Sequence, residues 1–466
     1  MQYGRESIQD WLRALDLEIM ALRDTHEYRS VNSETTTIKT LMGEVSYTRR
    51  RYKRKSGGYV FLLDKVLGIG NGCGLVSENL AEQIIAECAD KSFRKASGSV
   101  SSLTGQRISA MGAWGVLQRF GEKLEKQEGR LGELHQGGVE GQLGNLPCQI
   151  IFSEFDDVWL PMQSDKRRKK NDPAKAGRKR TGKKPIHVGT AYSGWRQTKD
   201  EKYRLMDKFA YASFGASDEF TTDFEMLLRH RFDMDGVERW MMNGDGASWI
   251  KTFAEDRDAI LQLDPFHRGQ AVIRAVADKE DRKALLKQMN AKDVQGALTL
   301  ITELIAKAAD EQSRKKLVDL FSYFFNNKEN LLTWKERGVE LPEPPKGVVY
   351  RNLGTQEASN CDLITQRMKH RKGSWSVNGA NHMAKILCFR STIGLDAVLG
   401  ILPSPPPPVD TPDPLSAAKT PKYDGAGYDG SWLYAKMPFD QMLITNGREA
   451  IRGMLKQRPL SELSII

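Results

Sequence analysis

Apolar positions recur at helical spacing over residues 7–28, where Ile8, Trp11, Leu12, Leu15, Ile19 and Leu22 share one face. The period then drops to two. Residues 36–40 and 44–49 alternate on either side of Met42-Gly43, which predicts a hairpin, and a third strand follows over 59–63. Helical spacing returns over 77–126, with breaks expected at Gly98 and Gly105. Residues 148–160 form an apolar strand ending in acids, and 186–192 and 203–212 predict two more strands. A helix over 221–231 leads to a strand at 237–242, a helical run and a strand at 259–263. The order is therefore strand, strand, strand, helix, strand, helix, strand, helix.

Beyond His267 the pattern is wholly helical to about Trp334, too long for a loop, and predicts a helical insertion. A helix over 352–371 follows a proline-rich hinge at 341–345. These patterns divide the 466 residues into a helix and basic β-sheet region (1–76) and a helical region (77–145), together an N-terminal DNA-binding region. A core follows in two parts (146–272 and 347–400), split by an all-α insertion (273–346), with a proline-rich linker and tail at 401–466. The expected fold class is α/β, a mixed-sheet core with an all-α insertion.

Lys and Arg number 70 against 60 Asp and Glu, a formal charge of +10 that suits a polyanionic partner. The cations cluster. Arg49, Arg50 and Arg51 interleave with tyrosines on the second hairpin strand, which reads either as a phosphate-tracking surface or as a charged, protected edge. Lys166, Arg167, Arg168, Lys169, Lys170, Arg178, Lys179 and Arg180 form a block leaving an acidic strand end, read as a DNA-contacting loop. Residues 92–117 have helix-turn-helix rhythm, as a plain bundle also would. The five cysteines form no CxxC pair, and no apolar run reaches 18 residues. A soluble, cytoplasmic and nucleoid-associated bacterial protein is the expectation, with no membrane partner.

The acids carry the chemistry. Asp156, next to Asp157, ends the first core strand. Asp245 sits between glycines after the fourth, as a metal-presenting acid or a helix cap. Glu357 opens a helix beyond the insertion. That strand order and carboxylate placement belong to an RNase H-like core. Three converging carboxylates repel one another without metal. Two divalent ions relieve that cost and suit phosphodiester cleavage, and hard oxygen ligands select Mg²⁺ or Mn²⁺.

Gly244-Asp245-Gly246-Ala247-Ser248-Trp249-Ile250, Leu263-Asp264-Pro265-Phe266-His267, Gly354-Thr355-Gln356-Glu357-Ala358-Ser359 and Arg367-Met368 with Trp375-Ser376 follow one another in this order. Together they resemble the bacterial insertion-sequence transposases of the ISLre type, relatives of the Mutator-like DDE transposases. The resemblance implies a catalytic and metal-binding triad on Asp156, Asp245 and Glu357. It also implies double-stranded DNA, both element ends and target, as partner, and a homo-oligomer on that DNA. Asp264 and His267 look like the (Cys/Asp)-x-x-His pair of those enzymes, as a second shell or a structural hydrogen-bonded pair. Asp157 and Trp375 are further second-shell candidates, and Trp375 and Trp249 read either as base-stacking or as core. Arg367, Lys369 and Arg371 are expected to track phosphate. Asn360 departs from relatives that carry His there. A metal-dependent nuclease without strand transfer, or a catalytically silent DNA-binding protein, are the alternatives.

Overall fold

The computed structural model describes residues 1–67, 75–136, 144, 146–163, 180–370 and 373–394. The chain divides into two compact units at Arg119/Phe120. In the first, helix Gln2–Leu22 lays Ile8, Leu12, Leu15 and Ile19 on a hairpin of Tyr28–Thr40 and Gly43–Arg54. Gly43 takes φ +115°, which the tight turn needs and an L side chain resists. Tyr59–Val60 and Leu75–Val76 complete a four-stranded sheet. The expected third strand stops at Val60, because Leu62 and Leu63 turn inward on helix Leu62–Val66 and join the same core. Helices Glu78–Asp90 and Phe93–Thr104 are capped by the Ser77 and Ser92 hydroxyls, and Ala110–Gln136 follows. The expected break at Gly98 does not occur: that residue lies inside a helix with open space around it. The chain breaks at Gly105, in the left-handed region at φ +67°.

The second unit is built on a five-stranded mixed sheet. Its strands are β1 (Ile150–Gln163), β2 (Arg180–Tyr192), β3 (Phe209–Ser213), β4 (Arg239–Gly244) and β5 (Ile260–Leu263). They lie side by side as β3-β2-β1-β4-β5, with β1 to β3 antiparallel and β4 and β5 added parallel to β1. Being central, β1 is covered on both faces and reads as a nearly continuous apolar run. On one face Ile151 and Phe155 meet Phe220 and Phe224 of helix Ser217–Arg229 and Phe253 of helix Ser248–Glu255. On the other, Ile150 and Phe152 meet Tyr192, Met241, Trp334, Tyr350 and Leu353.

The strand expected over 203–212 is two strands. Tyr203–Met206 pairs with Gly194–Gln197 outside the large sheet, and Asp207, at φ +52°, separates it from β3. The insertion forms helices Pro265–Ala275, Lys279–Asn290, Val294–Lys307 and Glu311–Asn326 around their own core of Leu285, Ile301, Leu320 and Phe324. Helix Gln356–Asn360 continues in wider π turns over Cys361–Lys369, a local irregularity that often marks functional sites. Helix Val377–Ile393 packs on β3, where Ala210 N donates to Thr392 Oγ1 at 3.0 Å. Among the described residues no helix is long and apolar enough to cross a membrane.

Candidate metal centre

β1, β4 and β5 run parallel, with Glu154 opposite Asn243 and Gly244 opposite Leu263, so the carboxyl ends of β4 and β5 open together beside the middle of β1. Alternation along β1 sends Ile150, Phe152, Glu154 and Asp156 to one face. The apolar pair sits in the core, and Asp156, expected to end β1, lies mid-strand and 8% exposed: pairing with β4 stops at Glu154, while β1 runs on to Gln163 paired with β2. Asp264 follows β5 and caps helix Pro265–Ala275, accepting from His267 N at 3.3 Å. The same carboxylate lies 2.7 Å from His267 Nδ1. That contact turns Nε2 toward the strand ends, 3.8 Å from Asp156 Oδ1 and 3.9 Å from Glu357 Oε1. Asp156, His267 and Glu357 thus each offer one ligand atom, all within 4.8 Å of one another.

Asp245 stands just beyond β4 and outside this group of three. Its Oδ1 accepts from Ala247 N at 2.9 Å, and its carbonyl accepts from Tyr323 Oη at 2.8 Å. Its charge still acts on Asp156 and His267.

Burial pushes the Asp156 carboxyl up to about 7. The neighbouring His267 charge and the Asp157 N–H oppose this, while Asp245 and Glu357 add to it. Burial alone would hold His267 down. Its Asp264 hydrogen bond and the surrounding carboxylates win, and the imidazole rises to about 8. Burial likewise works against the Asp264 carboxylate, but His267 and Asn243 outweigh it and leave its pKa below the usual range. Without metal, then, an imidazolium supplies the positive charge among the acids.

Residues that sequence reasoning did not assign hold this arrangement. Asn360 Nδ2 donates to Asp156 Oδ2 at 2.7 Å, so the helix carrying Glu357 also grips the first acid. Asn360 Oδ1 accepts from Gln356 Nε2 at 2.9 Å, and Gln356 Oε1 accepts from Thr190 Oγ1 at 2.8 Å. Glu154, fully buried, accepts from Tyr192 Oη at 2.6 Å, Asn243 Nδ2 at 2.9 Å and Gly354 N at 2.8 Å. Thr355 adds its N–H and hydroxyl. The available signal was parity: Glu154 shares a face with Asp156.

Other expected site residues are placed elsewhere. Asp157 points to the opposite face of β1, where Oδ1 lies 2.6 Å from His187 Nδ1. Trp249 packs edge-on against Phe155, His187 and Phe220. Trp375 is buried, donates from Nε1 to Met368 O at 2.9 Å and lies under the Arg367 guanidinium. The hairpin arginines are engaged within their own unit: Arg49 with Asp64, Arg50 with Asp16, and Arg51 with Glu34 at 3.3 Å. Arg49 and Arg50 tie the hairpin to helices Leu62–Val66 and Gln2–Leu22, while Arg51 bridges the two hairpin strands. Arg367 is buried and Lys369 exposed. Lys166, Arg167, Arg168, Lys169, Lys170, Arg178, Lys179 and Arg371, with the linker and tail beyond 401, lie outside the described residues, and Arg180 opens β2.

A UPF0236 protein of Caldanaerobacter subterraneus subsp. tengcongensis, whose name carries eleven locus designations, is 23% identical over 403 residues. The match spans 84% of this chain and 75% of the relative. The UPF0236 protein in the vanSb 3′ region of Streptococcus gallolyticus is 24% identical over 392 residues, 82% of this chain and 78% of its own. Among solved structures, the Mos1 strand transfer complex aligns at 10% identity over 54% of this chain and 77% of that one, with a TM-score of 0.14. A pre-cleavage Mos1 transpososome gives 9% identity over 54% and 78%, with a TM-score of 0.14. At those scores the likeness carries no weight. The family model for UPF0236, described as an uncharacterised protein family, matches residues 1–398, and this chain belongs to that family.

Proposed function

We propose that the protein is a DNA transposase of the DDE type, related to the ISLre and Mutator-like enzymes, with an RNase H-like core. The observation that carries the reading is the convergence of Asp156, His267 and Glu357 within 4.8 Å where β4 and β5 end against the middle of β1, with Asp245 just beyond β4. Two carboxylates and an imidazole nitrogen fit a divalent cation, and Asp245 brings a third carboxylate for a second. The sheet order β3-β2-β1-β4-β5 supports an RNase H-like core. The eleven locus designations of one relative support an element that copies itself within a genome.

Mg²⁺ or Mn²⁺, two ions held by Asp156, Asp245 and Glu357, would supply Lewis-acid chemistry for phosphoryl transfer. The chain's own residues prepare that site. Asp264 fixes the His267 ring, and His267 Nε2 is placed to hold or release a proton beside Asp156 and Glu357. Asn360 fixes the orientation of the Asp156 carboxyl.

The test is incubation of the full chain with duplexes carrying the ends of its own element, in Mg²⁺ or Mn²⁺. Cleaved 3′ ends joined to target DNA are expected, with both products abolished by Asp245→Asn. Free ends without joined products would make it a nuclease, and full activity in Asp245→Asn would remove this centre from the reaction.

A further inference from the structure

Glu357 lies 201 residues after Asp156 in sequence, with the whole helical insertion between them. Nothing local to β1 fixes where it arrives, and a long connection leaves its end loosely placed unless contacts hold it. The holding contacts converge on one side chain. Glu154, two residues before Asp156 on the same face of β1, takes the N–H groups of Gly354 and Thr355 and the Thr355 hydroxyl. Those residues directly precede the helix that carries Glu357. The same carboxylate takes Tyr192 Oη from β2 and Asn243 Nδ2 from β4, so it is referenced to the sheet on three strands. Asn243 Nδ2 also donates to Asp264 Oδ1 at 3.2 Å, which extends the network to the residue that orients His267. Gly354, at φ +133°, adopts the backbone that turns its N–H inward, a conformation an L side chain resists.

We infer that Glu154 is a positioning residue: a buried latch that docks the Gly354-Thr355 turn on β1 and so delivers Glu357 to Asp156 and His267. Its part in metal binding rests on the proposed metal centre; the docking itself does not. All its acceptor capacity faces protein donors, which separates it from the acids that face the opening. It acts through Glu357 and does not itself take a metal.

The experiment uses the full chain with Glu154→Gln and, as a milder change, Thr355→Val. Amide hydrogen exchange is followed in the metal-free proteins over residues 351–360, and Mn²⁺ affinity is measured by calorimetry. In Glu154→Gln an amide must face backbone donors, and exchange over 351–360 is expected to quicken about tenfold or more while β1 to β5 keep their protection. Mn²⁺ affinity is expected to fall about 10- to 100-fold, the range for residues that orient ligands. Thr355→Val should shift both readouts in the same direction by less, and it decides the matter if Glu154→Gln does not fold. Unchanged exchange over 351–360 overturns the latch. So does weakened Mn²⁺ binding with unchanged exchange, which would make Glu154 a ligand. If the wild type binds no Mn²⁺, the metal centre fails, while the exchange comparison still decides the docking.

Discussion

Asp156→Asn separates the electrostatics of this centre from its shape. A buried carboxyl held at about 7, against 3.8 in the open chain, keeps its proton more tightly folded than unfolded. Folding stability from that proton is complete below about 3.8 and is lost as the pH rises through about 7. At about 1.4 kcal/mol per tenfold, that window corresponds to a loss on the order of 4 kcal/mol. His267 titrates at about 8, so its charge persists across most of this range. Asparagine cannot ionise and escapes the loss, but its amide faces the Asn360 Nδ2 that now donates to Asp156 Oδ2, a mismatch of about 1–3 kcal/mol. The two effects oppose each other with pH. In EDTA, urea unfolding should find Asp156→Asn less stable than wild type at pH 4 and more stable at pH 8, by about 1–3 kcal/mol each way. With Mn²⁺ at pH 8 the order should reverse, since only the wild type gains from the ion. Parallel stability curves that never cross between pH 4 and 8 would refute the assignment of Asp156 as the buried, strained acid.

Glu357→Gln removes a side chain that is 45% exposed, so unfolding should change by less than about 0.5 kcal/mol, while end cleavage falls on the order of a thousandfold. A large loss of stability measured by urea unfolding would contradict the placement of Glu357 at the opening. Gly189→Ala would set a methyl 2.7 Å from the Phe224 ring and 2.9 Å from Phe155, and calorimetric unfolding should show a cost of about 1–3 kcal/mol. Asp16→Ala leaves the Arg50 guanidinium without its buried partner, and the first unit should lose about 3 kcal/mol in urea unfolding, with no change in Mn²⁺ affinity.

The strand order of the core was readable because each element announces itself locally. β1 carries apolar runs on either side of its acids, Gly43 marks a turn, and the helical insertion repeats its apolar face for many turns. What was not readable depends on pairing across the chain. Glu154 and Asp156 are both acids on one face of one strand, and only residues about 200 positions later separate their tasks: Gly354 and Thr355 engage one, Asn360 the other. The partners of the hairpin arginines were not readable either, since Asp16 and Asp64 lie on separate helices and Glu34 on the facing strand. The break at Asp207 carried no glycine or proline to mark it. Asp264 and His267 offered a choice between a hydrogen-bonded pair and a part of the centre. The fold forms the hydrogen-bonded pair, and pairing at Nδ1 presents Nε2 to the acids of the proposed centre.

In the proposed centre that geometry sets how metal and protons would compete. In the metal-free centre the imidazolium of His267 stands between Asp156 and Glu357, and Asp156 itself titrates near 7. A dication entering through Asp156 meets one proton below about 7, and one entering through His267 Nε2 meets another below about 8. Each would have to leave, so binding is expected to release protons, with apparent affinity climbing with pH until both are gone. Raising the pH also removes the positive charge that stabilises the empty centre, which makes the acids repel one another more strongly and the ion more welcome. The two effects share a sign. The two protons that stabilise the empty site are therefore the ones a metal would displace, and the affinity for Mn²⁺ should rise steeply between about pH 6 and 8 and level off above it.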